Sequence, residues 1–119
     1  MKIIIETIPH EKQMYDTCGD WRYKDGDLYI YVSDQGDWRK DSLISIHEMV
    51  EAMLCKDRDI SEDSVSDFDK ACLVQEVEGE PGDHEQAPYY AEHQIATIIE
   101  RILCHEYKIN WQRYEKGLD

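Results

Sequence analysis

The chain has few basic residues, no closely spaced pair of cysteines, no long apolar run and no internal repeat. Each of these absences closes off a class of protein. Only 13 Lys and Arg stand against 27 Asp and Glu, a formal net charge of −14. A field of that sign repels phosphate backbones and anionic membrane surfaces, while it draws metal cations and basic protein surfaces, so direct nucleic-acid binding is not expected. Cys18, Cys55, Cys72 and Cys104 form no CxxC pair. With no secretory segment in view they read as reduced thiols of a cytoplasmic protein, three of them small hydrophobes on helices. The opening Met1-Lys2-Ile3-Ile4-Ile5-Glu6 is interrupted too soon for a signal peptide, and no apolar stretch has the length of a membrane span.

What is present is enough for one core. The 119 residues are 41% apolar and include three Trp and eight Tyr, as expected of a single domain over residues 1–119 and not of a disordered acidic tail. Residues 2–8 are rich in Ile and stop at Pro9, which reads as a strand. Asp25-Gly26 between Trp21-Arg22-Tyr23 and Leu28-Tyr29-Ile30-Tyr31-Val32 reads as a hairpin. The period then changes. Leu43, Ile46, His47, Val50, Met53 and Leu54 predict a helix over 40–57, and Val65, Phe68, Cys72 and Val77 a second over 61–76, capped by Ser61 or Asp59. Gly79-Glu80-Pro81-Gly82-Asp83 ends it in a loop that reaches Pro88. Ile95, Ile98, Ile99, Ile102 and Leu103 predict the apolar face of a third helix over 89–105, and Trp111, Tyr114 and Leu118 read as a short docked helix or as cover for an edge. The expected class is α+β: a small antiparallel sheet packed on three main helices.

The sharpest chemical signal is His47-Glu48-Met49-Val50-Glu51. Residues four apart on a helix share one face, so His47 and Glu51 converge on one point, while Glu48 sits roughly 100° around. That is the relation in HExxH, where the terminal residues hold zinc and the Glu moves a proton of the attacking water. Here Glu51 replaces the second His, and a carboxylate oxygen is an ordinary zinc ligand. An ionised Glu on the apolar side of a helix needs a partner, because burying it alone costs several kcal/mol. A third ligand is expected near Tyr90-Ala91-Glu92-His93: His93 first, then Glu92, with Glu100 and Asp69 as alternatives. Asp83 and Asp69 are candidates for orienting an imidazole. His10, His84 and His105 read as structural or solvated, and Trp21, Trp38, Tyr89 and Tyr90 as core or rim aromatics.

Three stretches, Gly36-Asp37-Trp38-Arg39 leading into Ile46 to Ala52, Glu80 to Asp83 followed by Ala87-Pro88-Tyr89, and His93 to Glu100, give the chain a resemblance. It is similar to small phage and prophage proteins grouped with zincin-like metallopeptidases. The resemblance implies a zincin-like domain and a zinc-dependent hydrolase of peptides or related amides. It maps His47 and Glu51 onto the first two Zn2+ ligands and Glu48 onto the base that takes the proton from the water attacking the carbonyl; the third ligand, His93, is chosen from this chain's own residues. Two rival expectations use the same residues differently. One is a noncatalytic acidic phage accessory protein that binds a basic host protein, and the other is a domain whose metal is structural. A Mg2+ enzyme acting on nucleotides fits less well, since such sites are built from oxygen ligands and a helix-borne His stands here.

Overall fold

Asp25 (φ 53°) and Gly26 (φ 83°) both take positive φ, the geometry of a type I′ turn, and fold β2 (Gly19–Lys24) against β3 (Asp27–Ser33) as the expected antiparallel hairpin. The computed structural model describes residues 1–118. β1 (Ile3–Ile8) lies on the other side of β3, giving the order β1-β3-β2. Its pairing with β3 is parallel, Ile3 with Leu28 through Ile8 with Ser33, so the sheet is mixed and not purely antiparallel as expected. The reason is the connection through residues 9–18, which carries the chain past one strand position before it reverses. β3 then fills the gap between two oppositely directed strands, antiparallel to β2 and therefore parallel to β1.

Leu28, Ile30 and Val32 of β3 are fully buried beneath α1 (Trp38–Asp57), and Trp21 of β2 joins them. Asp37 caps α1 by accepting from the Arg39 N–H; Ser61 caps α2 (Glu62–Val74) by accepting from the Ser64 N–H. α3 (Tyr90–Glu106) packs along α1 on the side away from the sheet, and the short α4 (Trp111–Lys116) sets Tyr114 against α3. The chain is thus the α+β fold expected, with three long helices and one short one. Among the described residues no helix is long and apolar enough to cross a membrane.

The buried faces are not those that hydrophobic period alone selects. On α3, Ile98 and Ile102 are 57% and 59% exposed, while Glu92, His93, Ala96, Glu100 and Cys104 are buried. On α1, Met53 is exposed, and His47 and Glu51 are buried beside Leu43, Ile44, Ala52 and Cys55. Two helices have therefore turned ionisable stripes toward each other, an arrangement that persists only if every charge finds a partner.

Candidate metal centre

α1 brings His47, Glu48 and Glu51 to the α1–α3 seam, and α3 meets them with His93 and Glu100. His47 Nε2 lies 3.2 Å from Glu51 Oε2 and 3.2 Å from His93 Nδ1, and His93 Nδ1 lies 2.8 Å from Glu51 Oε2. Three ligand atoms thus form a near-equilateral triangle. Tetrahedral zinc with bonds of about 2.0–2.1 Å sets its ligands about 3.3 Å apart, so the triangle needs to open by only a few tenths of an ångström.

Two of the three are held from behind by hydrogen bonds, and the Nε2 of the third is buried facing two carboxylates without an aligned hydrogen bond to either. His47 Nδ1 is 2.8 Å from Glu100 Oε1, and Glu100 Oε2 accepts from the Tyr114 hydroxyl at 2.6 Å. A proton on His47 Nδ1 donated to Glu100 leaves the Nε2 lone pair facing Glu51 and His93, the carboxylate–histidine arrangement usual behind a metal ligand. Glu51 Oε1 accepts from the Trp21 indole N–H at 3.0 Å. His93 Nε2 is 3.1 Å from both Glu80 Oε2 and Asp83 Oδ1, in the turn Pro81–Asp83 and the residue before it.

The alternatives for the third ligand have other work. Glu92 is buried but paired with Arg58 at 2.8 Å, Glu100 supports His47, and Asp69 accepts from the Tyr89 hydroxyl. Asp83 does face an imidazole as expected, whereas Asp69 does not. Glu80, Gly82, Trp21 and Tyr114 were not singled out for the site by sequence reasoning. The only signal for the first two was the Glu-Pro-Gly-Asp turn itself, and nothing in a linear pattern tells a core Trp or Tyr that it will donate to a buried carboxylate. His10 bonds Ser33 and Asp16 and His84 reaches the Glu78 carbonyl, both structural, as their positions implied.

Electrostatics follow from this packing. Burial disfavours the charged forms of all three triangle residues, but mutual pairing outweighs it. Glu51 is held down at about 2 by His47 and His93 against the opposing effect of burial. Burial pulls both imidazoles down, yet hydrogen bonds raise His47 well above its usual value through Glu100 and Glu51, and His93 to about 10 through Glu51 and Glu80. Protons thus occupy the place of a cation. Glu48 is different: burial and then the nearby Glu51 charge raise its carboxyl well above the usual range. It is half-buried on the wall of a cleft of about 500 Å³ that also contains the triangle, and its carboxylate rests where a side chain on Gly19 would lie.

Gly82 makes the same kind of close approach to the His93 ring. A Cβ there would fall 2.4 Å from His93 Cγ and Nδ1. Gly82→Ala is accordingly expected to cost about 1–3 kcal/mol in urea unfolding, because either the turn or the imidazole must shift. A variant as stable as wild type would show that the turn does not clamp the ring.

Comparison of the chain with protein-family models, curated proteins and solved structures finds no match.

Proposed function

We propose that the protein is a zincin-like, zinc-dependent hydrolase acting on a peptide or related amide. The single observation that carries this reading is the convergence of His47 Nε2, Glu51 Oε2 and His93 Nδ1 to mutual distances of 2.8–3.2 Å, buried on rigid helices. Ligands of this type match zinc, and His with carboxylate is a usual catalytic mixture. Zinc, when bound, supplies Lewis acidity toward a carbonyl and its attacking water. The chain's own residues do the rest. Glu48, on the cleft wall next to His47, receives a proton from the attacking water and returns it to the leaving amine. Glu100 and Trp21 hold His47 and Glu51 at their present angles, and Glu80 with Asp83 sets negative charge 3.1 Å from His93 Nε2. An acidic protein that only binds a basic partner has no need for three ligands to meet at one buried point, and this disfavours that rival.

The test is the metal content of tag-free protein by plasma mass spectrometry. Wild type is expected to carry about one zinc per chain, and His47→Ala, Glu51→Ala and His93→Ala to carry almost none. Wild-type protein that neither contains zinc nor takes it up when added would overturn the proposal. With zinc established, a peptide and amide substrate panel separates a catalytic from a structural metal.

A further inference from the structure

β1 is the least covered strand of the sheet, and the first three of its six residues are Ile. Ile3, Ile4 and Ile5 are 42%, 36% and 47% exposed, although they pair with β3, whose Leu28, Ile30 and Val32 are fully buried. Strand alternation fixes where the backbone of β1 points. The Leu28 N–H donates to the Lys2 carbonyl and the Asp34 N–H to the Ile8 carbonyl, so the even-numbered residues of β1 bond to β3. The N–H and C=O groups of Ile3, Ile5 and Thr7 therefore face the open edge. β2, the other edge, is guarded, since its Tyr23 N–H is taken by the Glu62 carboxylate at 2.7 Å. Natural edges carry proline, a bulge or inward charge against unwanted pairing, and β1 has none of these along Ile3–Ile5.

We propose that β1 pairs with β1 of a second copy, antiparallel across a twofold axis through Ile4, joining two three-stranded sheets into one. Charge complementarity selects this partner and this register. With Ile4 on the axis, Ile3 faces Ile5 of the other copy, and Lys2 faces Glu6 on both sides. Ile3 and Ile5 both point their backbone groups outward, so they form the hydrogen-bonded pairs of the ladder. Lys2 and Glu6 fall in the non-bonded pairs, where side chains approach more closely. Moving the axis to Ile5 keeps the hydrogen bonds but sets Lys2 against Ile8 and Glu6 against Ile4. A shift by one residue pairs inward-facing backbone groups with outward-facing ones and puts apolar side chains on opposite faces. In the chosen register the Ile3 and Ile5 side chains of both copies gather on the face that carries Leu28 and Ile30, at the margin that the helices do not reach.

A ladder this short buries less than a standard interface, so half-dimerisation is expected at about 10–100 µM chain near physiological salt. Sedimentation equilibrium over about 1–500 µM is the measurement. The charge swaps K2E and E6K, both at exposed positions, are each expected to raise the midpoint at least about tenfold, by setting like charges opposite each other. An equimolar mixture of the two restores dimerisation to about the wild-type midpoint, because each mixed pair is again of opposite sign. E6K lowers the net negative charge of the chain, so a weaker dimer there does not come from overall repulsion. I4C adds a geometric check. A non-bonded antiparallel pair on the axis lies within disulfide reach, and mild oxidation should cross-link I4C but not I8C. Wild type that stays monomeric throughout, single swaps that leave the midpoint unmoved, or a mixture that fails to recover would each overturn the proposal.

Discussion

Glu48→Gln is expected to keep its metal and lose hydrolytic activity by about 10²–10⁴-fold, the usual contribution of a positioned base. The argument rests on Glu48 being unlike its neighbours. His47 and Glu51 are tied into the triangle by contacts of 2.8–3.2 Å, whereas Glu48 projects roughly 100° away, half-buried on the wall of the same cleft. Gln has the same size and cannot accept a proton under these conditions, so it removes the chemistry with little effect on packing. Burial and the Glu51 charge raise the Glu48 carboxyl well above the usual carboxylate range, so that it holds a proton more tightly than an exposed Glu. The discriminating result is a split: zinc content and unfolding midpoint unchanged, turnover nearly abolished. If Glu48→Gln turns over substrate as fast as wild type, the proton is handled elsewhere, and Asp69, whose carboxyl burial raises to about 6, becomes the next group to test.

How much of this was legible beforehand divides along physical lines. The hairpin at Asp25-Gly26, the cap at Ser61 and the limits of the long helices are local effects of turn geometry, capping and period, and they read directly from the residues. The parallel placement of β1 depends on where a connection carries the chain, which no local rule contains. The inward faces of α1 and α3 show the more instructive difference. Hydrophobic period puts Ile98 and Ile102 in the core, yet α3 buries Glu92, His93 and Glu100 instead. Period assumes that polar groups go to water, and it fails where polar groups satisfy one another, as the ionisable stripes of α1 and α3 do. His47 and Glu51 were nameable because helical spacing is local, whereas His93 was one of four candidates chosen for ligand chemistry, and only the α1–α3 seam brings it to them. Trp21, Glu80, Gly82 and Tyr114 were not nameable, because their contribution exists only once β2, the Glu80–Asp83 turn and α4 close around the seam.

Metal-free protein should lose stability as pH rises from about 6.5 to 10, and bound zinc should remove that loss. His93 is raised from 6.5 to about 10 in the folded chain, and His47 moves in the same direction. A group whose folded pKa is raised contributes fully below its unfolded value and loses the contribution as pH climbs through the folded one. The raised carboxyls of Glu48 and Asp69 add a decline of the same sign, beginning at lower pH. Glu51 acts at the other end: held at about 2 against an ordinary 4.5, it contributes above pH 4.5 and loses that contribution as pH falls toward 2. Apo stability therefore peaks in mildly acidic solution and falls on both sides, by a few kcal/mol on the alkaline limb. Zinc held as proposed would bind the deprotonated rings, compete with the imidazole protons and take over their pairing with Glu51. The gap in melting temperature between zinc-loaded and chelated protein should widen steadily from pH 6 to pH 9, roughly following the loss of those protons. A chelated protein with a flat melting temperature across that range would mean that the rings are neutral when folded and that no buried cation, proton or metal, is needed to hold Glu51 in place.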